Sequence, residues 1–406
     1  MKSIRDLYKI GKGPSSSHTM GPARAAEIFK SENPDAERYE VVLYGSLAKT
    51  GIGHGTDRVL RDVFAPKDVQ IVFAEHDPDD LKHPNTLDLS AFTGAEKTAS
   101  IRVESIGGGD IVVEGRPGLE PPEVYPENSF AEIAQFCAWR QVSLPQYVEM
   151  NEGPEIWDFL KDIWNAMRKE IHDGLSAEGV LPGGLNVQRK AKYLFERGHQ
   201  VDIPQVRELQ QVCAYAFAAA EQNAGNGTIV TAPTCGSCGV LPAVLLYLQD
   251  KYKFTDEKIA EALSVAGLLG CLIKRNASVS GAECGCQAEI GASSAMAAGA
   301  LAWLKSGSSH LIIQAAAMAL KSLLGLVCDP VAGLVEVPCV KRNASGAMNA
   351  LCAVDMALAG IESAIPVDEV IDAMREIGDL MHKDLRETGK GGLAATATGM
   401  ALAEQL

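Results

Sequence analysis

The chain has 406 residues, which is enough for two or three ordinary domains and a large hydrophobic core. Apolar residues make up 47% and charged residues 22%, as in a typical globular protein. A formal net charge of −15 disfavours nucleic acid and anionic membranes as partners, and we expect neither.

Membrane insertion and export are not expected either. The apolar stretches near 257–273 and 311–327 are interrupted by Lys, Glu, Gly or Gln, so neither is typical of a membrane span. Residues 1–6 lack the apolar core of a signal peptide. The ten cysteines are therefore expected to be reduced thiols in the cytoplasm and not disulfides.

The first part of the chain has the pattern of an α+β domain, which we place at residues 1–150. A helix is predicted near 22–31, and the short β-like runs that follow it are separated by Gly and Pro residues. The predicted strands lie at 39–44, 69–73, 99–104 and 110–114.

Residues 13–22 form a polar loop between two Gly/Pro brackets. Such a loop can present hydroxyl and backbone N–H groups to an anion, and His18 can act as an acid or base. The alternative is an ordinary cap for the helix that follows. The candidate binding residues in this loop are Ser15, Ser16, Ser17 and Thr19.

A second glycine-rich loop, residues 44–57, follows a predicted strand and contains His54. It lacks the Gly-Lys-Ser/Thr ending of a P-loop and the spacing of a dinucleotide fingerprint. A histidine between two glycines is open to approach by a substrate, which suits a catalytic base. A flexible surface turn explains the local pattern equally well.

From about residue 156 onward, strand signals nearly vanish and Ala/Leu/Met/Gly-rich segments predominate. Small residues at this density let helices approach closely, so residues 151–406 are predicted to form a mostly helical domain. Residues 117–126 are rich in Pro and Glu and are interpreted as a connector, followed by a helix near 128–139. The other predicted helices lie at 156–172, 204–222, 240–251, 256–272, 288–304, 309–325, 345–360 and 367–380.

The segment 229–242 combines an extended stretch, a polar turn and a helix start. Thr234 and Ser237 could donate hydrogen bonds to a ligand carboxylate at that helix N-terminus. Cys235 and Cys238 form a C-x-x-C motif, which suggests redox or zinc chemistry. No matching second pair follows at the usual distance, so zinc is weakly supported.

Three further cysteine motifs are too unusual to be explained by packing: A-E-C-G-C-Q, L-V-C-D-P and V-P-C-V-K-R-N. The favoured ligands are Cys286, Cys328 and Cys339, although the C-G-C sequence also offers Cys284. Three thiolates are one ligand short of a closed tetrahedral metal site and leave a position for substrate. The basic pair next to Cys339 would lower the pKa of a thiolate.

Taken together, the motifs S-S-S-H-T-M-G-P, G-H-G-T-D, P-G-G-L-x-x-x-R-K-A, T-A-P-T-x-G-x-x-G-V-L-P-A, A-E-x-G-C-Q-x-E and C-D-P-V-x-G-x-V-x-x-P-C-x-x-R-N resemble the iron–sulfur-dependent bacterial L-serine dehydratases. Their order is that of the single-chain form, and they span nearly the whole chain. The resemblance implies an N-terminal domain like the serine-binding regulatory domain of some phosphoglycerate dehydrogenases, a helical catalytic domain and a homodimer. It also implies a [4Fe–4S] cluster on Cys286, Cys328 and Cys339, because Cys284 falls at a variable position.

The resemblance implies elimination of water from L-serine to give pyruvate and ammonia, with the open iron acting as a Lewis acid on the 3-hydroxyl. His54 is the first choice for the base and His18 the second. The loop that contains His18 would then have to reach the cluster from the other domain. Residues implied in holding the substrate carboxylate and amino group are Ser15, Ser16, Ser17, Thr19, Thr234, Ser237, Arg342 and Asn343.

One feature departs from the family pattern. Single-chain members often end in a tail whose cysteine is thought to occupy the open iron, whereas this sequence has no cysteine after Cys352. We therefore do not extend tail inhibition to this chain.

Three alternatives remain open. A related lyase such as an L-cysteine desulfidase would use the same scaffold. A non-catalytic serine sensor or electron-transfer protein would need a fourth ligand, for which Cys284 or Cys238 is the best candidate. A pyridoxal-phosphate dehydratase ranks low, because no lysine lies in a Schiff-base context beside a glycine-rich phosphate loop.

Overall fold

The computed structural model describes residues 1–116 and 122–406. Within these ranges, no helix is long and apolar enough to cross a membrane. The strands are β1 (Ile10–Lys12), β2 (Arg38–Leu43), β3 (Asp68–Phe73), β4 (Thr86–Thr93), β5 (Glu96–Gly107), β6 (Asp110–Val113) and β7 (Thr228–Val230). The helices are α1 (Gly21–Glu32), α2 (Gly45–Thr50), α3 (Thr56–Phe64), α4 (Phe130–Arg140), α5 (Leu144–Glu152), α6 (Ile156–Ser176), α7 (Ala191–His199), α8 (Pro204–Ala224), α9 (Val240–Tyr252), α10 (Asp256–Asn276), α11 (Gly281–Cys284), α12 (Ala292–Ser306), α13 (Ser309–Lys321), α14 (Cys339–Leu358), α15 (Val367–Leu380) and α16 (Ala397–Ala403).

Strands β2 to β6 form a five-stranded sheet in the order β3-β2-β4-β5-β6. The β2 and β3 strands are parallel, and the other neighbours are antiparallel. Tyr39, Val41 and Leu43 alternate along β2 and are buried in one core with Phe29 of α1, as the period of a half-buried strand requires. The predicted fold class, an α+β region followed by a mostly helical region, is confirmed.

Every predicted strand and helix has a counterpart among the observed elements, but several observed elements were not predicted. The four predicted strands are β2, β3, β5 and β6, and β7 overlaps the predicted extended stretch. The elements that were not predicted are β1, β4, α2, α3, α5, α7, α11 and α16. In β4, the buried positions Leu87 and Leu89 have the spacing of a strand, but they follow a loop rich in Pro and Asp. Helix α14 begins at Cys339 and not near 345. The first half of the predicted connector, 117–121, lies outside the described residues.

A second, larger core lies among the helices and also buries the start of the chain. Met1, Leu7 and Tyr8 share this core with Tyr125 and Trp164. Strand β1 pairs antiparallel with β7, so the chain first contacts the helical region, then forms the sheet, and then returns. The division of the chain at residue 150 stays a prediction.

Asp110 joins the two cores electrostatically. Its carboxylate contacts Lys9 before β1, Lys274 on α10 and, at 3.5 Å, Arg24 on α1. Burial alone would raise the pKa of Asp110, but the attraction of Lys274 and Lys9 holds it below its usual value. The ionised carboxylate is therefore stabilised by folding.

We expect Asp110→Asn to lower the free energy of unfolding by about 3 kcal/mol, because it leaves buried cations without their partner. Because the pKa of Asp110 is depressed in the folded state, this contribution is complete above the unfolded pKa of about 3.9 and is lost as the pH falls through the folded pKa. Urea unfolding of both proteins at pH 7 and below pH 4 measures the effect.

Glu114→Gln is the control, since Glu114 pairs with Lys82 at 3.4 Å on the exposed surface. We expect it to change the urea midpoint very little. An Asp110→Asn midpoint equal to that of this control at pH 7 would contradict the assignment.

Candidate active site

The two predicted histidine loops lie against each other. His18 is in a π-helical turn (Ser16–Met20), and His54 follows α2; their ring centroids are 4.4 Å apart. The Thr19 hydroxyl donates to the His54 carbonyl oxygen at 2.8 Å, and the Thr56 hydroxyl donates to the His18 carbonyl oxygen at 2.6 Å. Gly55 adopts φ +63°, a conformation that favours glycine, and so lets the chain turn from His54 into α3.

His54 has one ring nitrogen bonded and the other free. Nδ1 lies 3.0 Å from the Thr50 carbonyl oxygen, which can only accept, so Nδ1 carries the proton. Nε2 is buried and has no hydrogen-bond partner. Burial lowers the pKa of His54 to about 4, although the Thr50 bond opposes this shift. The ring is therefore neutral near pH 7, with a free lone pair on Nε2.

His18 uses both ring nitrogens. Nε2 lies 3.0 Å from the Ser46 hydroxyl, and Nδ1 lies 2.9 Å from the Ser17 hydroxyl. Ser46 donates its own proton to the Glu387 carbonyl oxygen at 3.2 Å, so it accepts from His18. Burial and the neighbouring His54 hold the pKa of His18 well below its usual value. His54 is thus better placed than His18 to accept a proton.

The hydroxyls of the first loop are buried and partly shape the loop itself. Ser15 accepts a hydrogen bond from the His18 backbone N–H at 3.0 Å and lies 3.3 Å from the Ser17 hydroxyl. The Ser15 backbone N–H donates to Thr19 at 3.2 Å. Ser16 is buried in the same turn.

Thr234 and Ser237 lie in the turn before α9. The Thr234 hydroxyl donates to Glu289 Oε1 at 2.7 Å and lies 3.1 Å from the Ser237 hydroxyl. Ser237 also contacts the Ala232 carbonyl oxygen at 3.3 Å. This segment therefore holds a carboxyl group that extends from the cysteine segment.

The three predicted ligand cysteines share one neighbourhood. Burial raises the pKa of Cys286 to about 12, with Glu289 adding to the shift and Arg342 opposing it. Burial also raises the pKa of Cys328 and of Cys339 well above the usual value, and Cys286 and Glu289 add to the shift of both thiols. Without a bound cation, these groups are therefore neutral thiols at pH 7.

Arg342 and Asn343 support this neighbourhood from α14. Arg342 donates to the Val327 carbonyl oxygen at 2.8 Å and to Asp329 at 2.9 Å, on either side of Cys328. The Asn343 amide accepts from the Gly239 N–H at 2.9 Å and donates to the Gly236 carbonyl oxygen at 2.8 Å. Both side chains fix the backbone around the site.

The other cysteine candidates face elsewhere. The Cys235 sulfur lies 3.3 Å from the Met20 sulfur, and the Cys238 sulfur lies 3.6 Å from the Ala219 carbonyl oxygen, within the helical core. Cys284 packs on α15, where a Cβ atom added to Gly378 would lie 2.4 Å from its sulfur. This packing explains why Cys284 and Cys286, although two residues apart, have different surroundings.

Glu387 completes the site and was not predicted. It reaches the site because its backbone N–H donates to the Cys328 carbonyl oxygen at 2.9 Å. Its Oε1 lies 3.7 Å from His18 Nδ1 and 3.8 Å from His54 Nε2. Burial and then Glu289 raise the pKa of Glu387 well above its usual value. The glycine-rich polar composition of 386–392, similar to that of the histidine loops, is the signal that could have identified it.

Two glycines allow these groups to pack closely. A Cβ atom on Gly281 would lie 3.1 Å from Glu289 Oε2, 3.2 Å from the Cys328 sulfur and 3.4 Å from Glu387 Oε2. A Cβ atom on Gly236 would lie 2.8 Å from Glu289 Oε1. A side chain at either position would crowd Glu289, so the packing around this carboxyl group depends on glycine at both.

The three thiols suit a polynuclear centre better than a single ion. Among the described residues, only His18, His54 and Glu387 form a group of three or more potential metal ligands with all donor atoms within 4.8 Å of one another. Sulfur atoms around one tetrahedral zinc ion would be about 3.8 Å apart, given Zn–S bonds of about 2.3 Å. Because the sulfur atoms of the three cysteines are not all within 4.8 Å of one another, they fit a larger iron–sulfur cluster better than a single zinc ion.

A surface cavity of about 480 Å³ lies beside both histidine loops. Its wall includes Thr50, the cations Lys49 and Arg58, and the acidic residue Glu336. Lys49 is also paired with Asp77 at 3.3 Å, so the cavity wall contains both basic and acidic groups.

Comparisons with known proteins identify the family of the chain. The serine dehydratase beta chain profile matches residues 3–62, and the alpha chain profile matches residues 82–394. L-serine dehydratase 2 of Escherichia coli K12 is 37% identical over 450 aligned positions, which cover 97% of this chain and 98% of that protein. L-serine dehydratase TdcG of the same strain is 38% identical, with coverage of 97% and 99%. The L-serine dehydratase of Streptomyces coelicolor is 36% identical, with coverage of 97% and 98%. The chain therefore belongs to the serine dehydratase family, with regions similar to its beta and alpha chains in one polypeptide.

Proposed function

We propose that this protein is an L-serine dehydratase, which eliminates water from L-serine to give pyruvate and ammonia. The observation that carries the proposal is the free, buried Nε2 of His54, which lies 3.8 Å from Glu387 Oε1, on a segment bonded to the Cys328 backbone. The relatives, which are L-serine dehydratases, support the same substrate.

Cys286, Cys328 and Cys339 would hold a [4Fe–4S] cluster. When bound, this cluster supplies an open iron that acts as a Lewis acid on the 3-hydroxyl of serine, since hydroxide is a poor leaving group. Arg342 lies close enough to influence Cys286 and Cys339 electrostatically, and its positive charge favours their thiolate forms.

His54 serves as the base that removes the α-proton of serine. The proton moves to Nε2, while Nδ1–H remains bonded to the Thr50 carbonyl oxygen and stabilises the cationic ring. Burial keeps water from competing for Nε2. His18, which is bonded to Ser17 and Ser46, orients the loop instead of accepting the proton. Released aminoacrylate then tautomerises and hydrolyses to pyruvate and ammonia.

The polar turns would bind the substrate carboxylate. Ser15, Ser16, Ser17 and Thr19 lie beside His18, and Thr234 and Ser237 lie in the turn that bonds Glu289. Several of these hydroxyls bond within the protein, so they would exchange those bonds for bonds to the substrate carboxylate. Arg342 and Asn343 act as positioning residues, because their N–H groups already donate to backbone carbonyl oxygens and to the Asp329 carboxylate.

The test is anaerobic reconstitution with iron and sulfide, followed by measurement of pyruvate from L-serine. We expect turnover only in the reconstituted protein, with serine used faster than threonine or cysteine. Faster release of sulfide from L-cysteine would favour the desulfidase alternative. A reconstituted protein that has full iron content but no turnover would overturn the proposal.

A cytoplasmic homodimer is proposed on the basis of the family resemblance. Light scattering from the anaerobic protein should give the mass of two chains, and the mass of one chain would contradict the dimer.

A further inference from the structure

Two buried carboxyl groups, those of Glu289 and Glu387, approach the same glycine, Gly281, in the site. The Cβ position of Gly281 is 3.1 Å from Glu289 Oε2 and 3.4 Å from Glu387 Oε2. The two residues lie on different elements, one on the turn after Cys286 and the other on the loop after α15. Their convergence is therefore a tertiary feature of the fold.

Neither carboxyl has a lysine or arginine as an ion-pair partner. Within residues 1–116 and 122–406, the basic groups within 4.0 Å of the Glu387 carboxyl are those of His18 and His54, and Glu289 has no lysine or arginine that close. Arg342 is instead paired with Asp329 at 2.9 Å. Buried acidic groups without a cation favour a ligand that brings one.

A second observation also indicates a ligand at this point. His54 Nε2 is buried and has no hydrogen-bond partner, and it lies 3.8 Å from Glu387 Oε1. A group that lies between these two atoms would give both side chains a hydrogen-bond partner. An ammonium group on Glu387 would bring the carbon atom attached to it close to Nε2.

We propose that Glu289 and Glu387 form the binding site for the α-ammonium group of the substrate. The inference rests on the proposed function, in which the substrate is an amino acid. It also explains how the α-proton is oriented: ammonium bound to Glu387 presents the adjacent C–H bond to Nε2 of His54. The pair would select α-amino acids over acids that lack the amino group.

The experiment compares two inert ligands that differ only in the ammonium group, L-alanine and propanoate. Neither carries a 3-hydroxyl, so calorimetry of the anaerobic reconstituted protein measures binding without turnover. We expect the wild type to bind L-alanine at least about tenfold more tightly than propanoate, as a charge-assisted hydrogen bond would give. In Glu387→Gln this ratio should fall towards one, mainly through weaker binding of L-alanine.

Glu289→Gln provides an independent variant in case Glu387→Gln does not fold. Glu221→Gln is the matched control, because Glu221 is a buried carboxyl that accepts from the Lys190 N–H at 2.6 Å, away from the site. A wild-type ratio near one, or a ratio that is unchanged in both site variants, would overturn the ammonium site.

The same preparations separate this inference from the proposed function. If the wild type forms no pyruvate from L-serine but the preference for L-alanine over propanoate falls in the variants as expected, the proposed function is wrong and the ammonium site is supported. If pyruvate forms normally but this preference is unchanged in the variants, the ammonium site is wrong and the proposed function is supported.

Discussion

His54→Ala should lower kcat for L-serine by a factor of about 10³ or more while the visible absorbance of the reconstituted cluster persists. The variant removes the one ring nitrogen of the two active-site histidines that is free to accept a proton, and a positioned base typically contributes about 10²–10⁴-fold. Steady-state pyruvate formation and the absorbance spectrum of the same sample measure both properties.

His310→Ala is the matched control, because His310 is exposed and lies 3.8 Å from the exposed Glu362. It should retain wild-type kcat. His18→Ala should lose activity by a different route, since it removes bonds to Ser17 and Ser46 that shape the loop. Full activity of His54→Ala would transfer the role of base to His18.

Replacement of any one of Cys286, Cys328 and Cys339 by Ser should eliminate serine turnover and most of the bound iron. Each thiol lies in the shared neighbourhood around Glu289, and serine does not replace thiolate as a ligand for this kind of cluster. Iron analysis after anaerobic reconstitution should give about four iron atoms per chain in the wild type and close to none in the variants.

Cys284→Ser and Cys352→Ser are the matched controls. Cys284 packs against Gly378 on α15, and Cys352 is exposed on α14, so neither sulfur belongs to the proposed ligand set. Both variants should keep iron and turnover. Loss of the cluster in Cys284→Ser, with retention in Cys286→Ser, would reverse the choice within the C-G-C sequence.

The sequence was most informative about the site where a functional residue lies within a recognisable local motif. His18 and His54 each lie in a glycine-bounded loop, and their pairing at 4.4 Å follows once both loops are at the same end of the sheet. Most helices were predictable, because long runs of small apolar residues have few other ways to bury their surface.

Features that depend on distant contacts were not predictable. Glu387 joins the site through backbone bonds to Cys328 and a bond from Ser46, which is 341 residues earlier. The sequence also placed Asn343 near the cysteines, but it could not show that the amide group holds the Gly236 and Gly239 backbone. Side-chain direction is determined by the packed fold, and no local pattern encodes it.

The path of the chain limits how the two cores can move. The segment before β1 is buried among the helices, β1 is hydrogen-bonded to β7, and the chain rejoins the helical core at Tyr125. The sheet is thus joined to the helical region by the chain at both ends, and Asp110 and Ser46 add contacts to Lys274 and to the Glu387 carbonyl oxygen. The sheet cannot swing away from the helices without breaking these contacts. His18 and His54 therefore stay beside Glu387 for as long as the folded structure is intact.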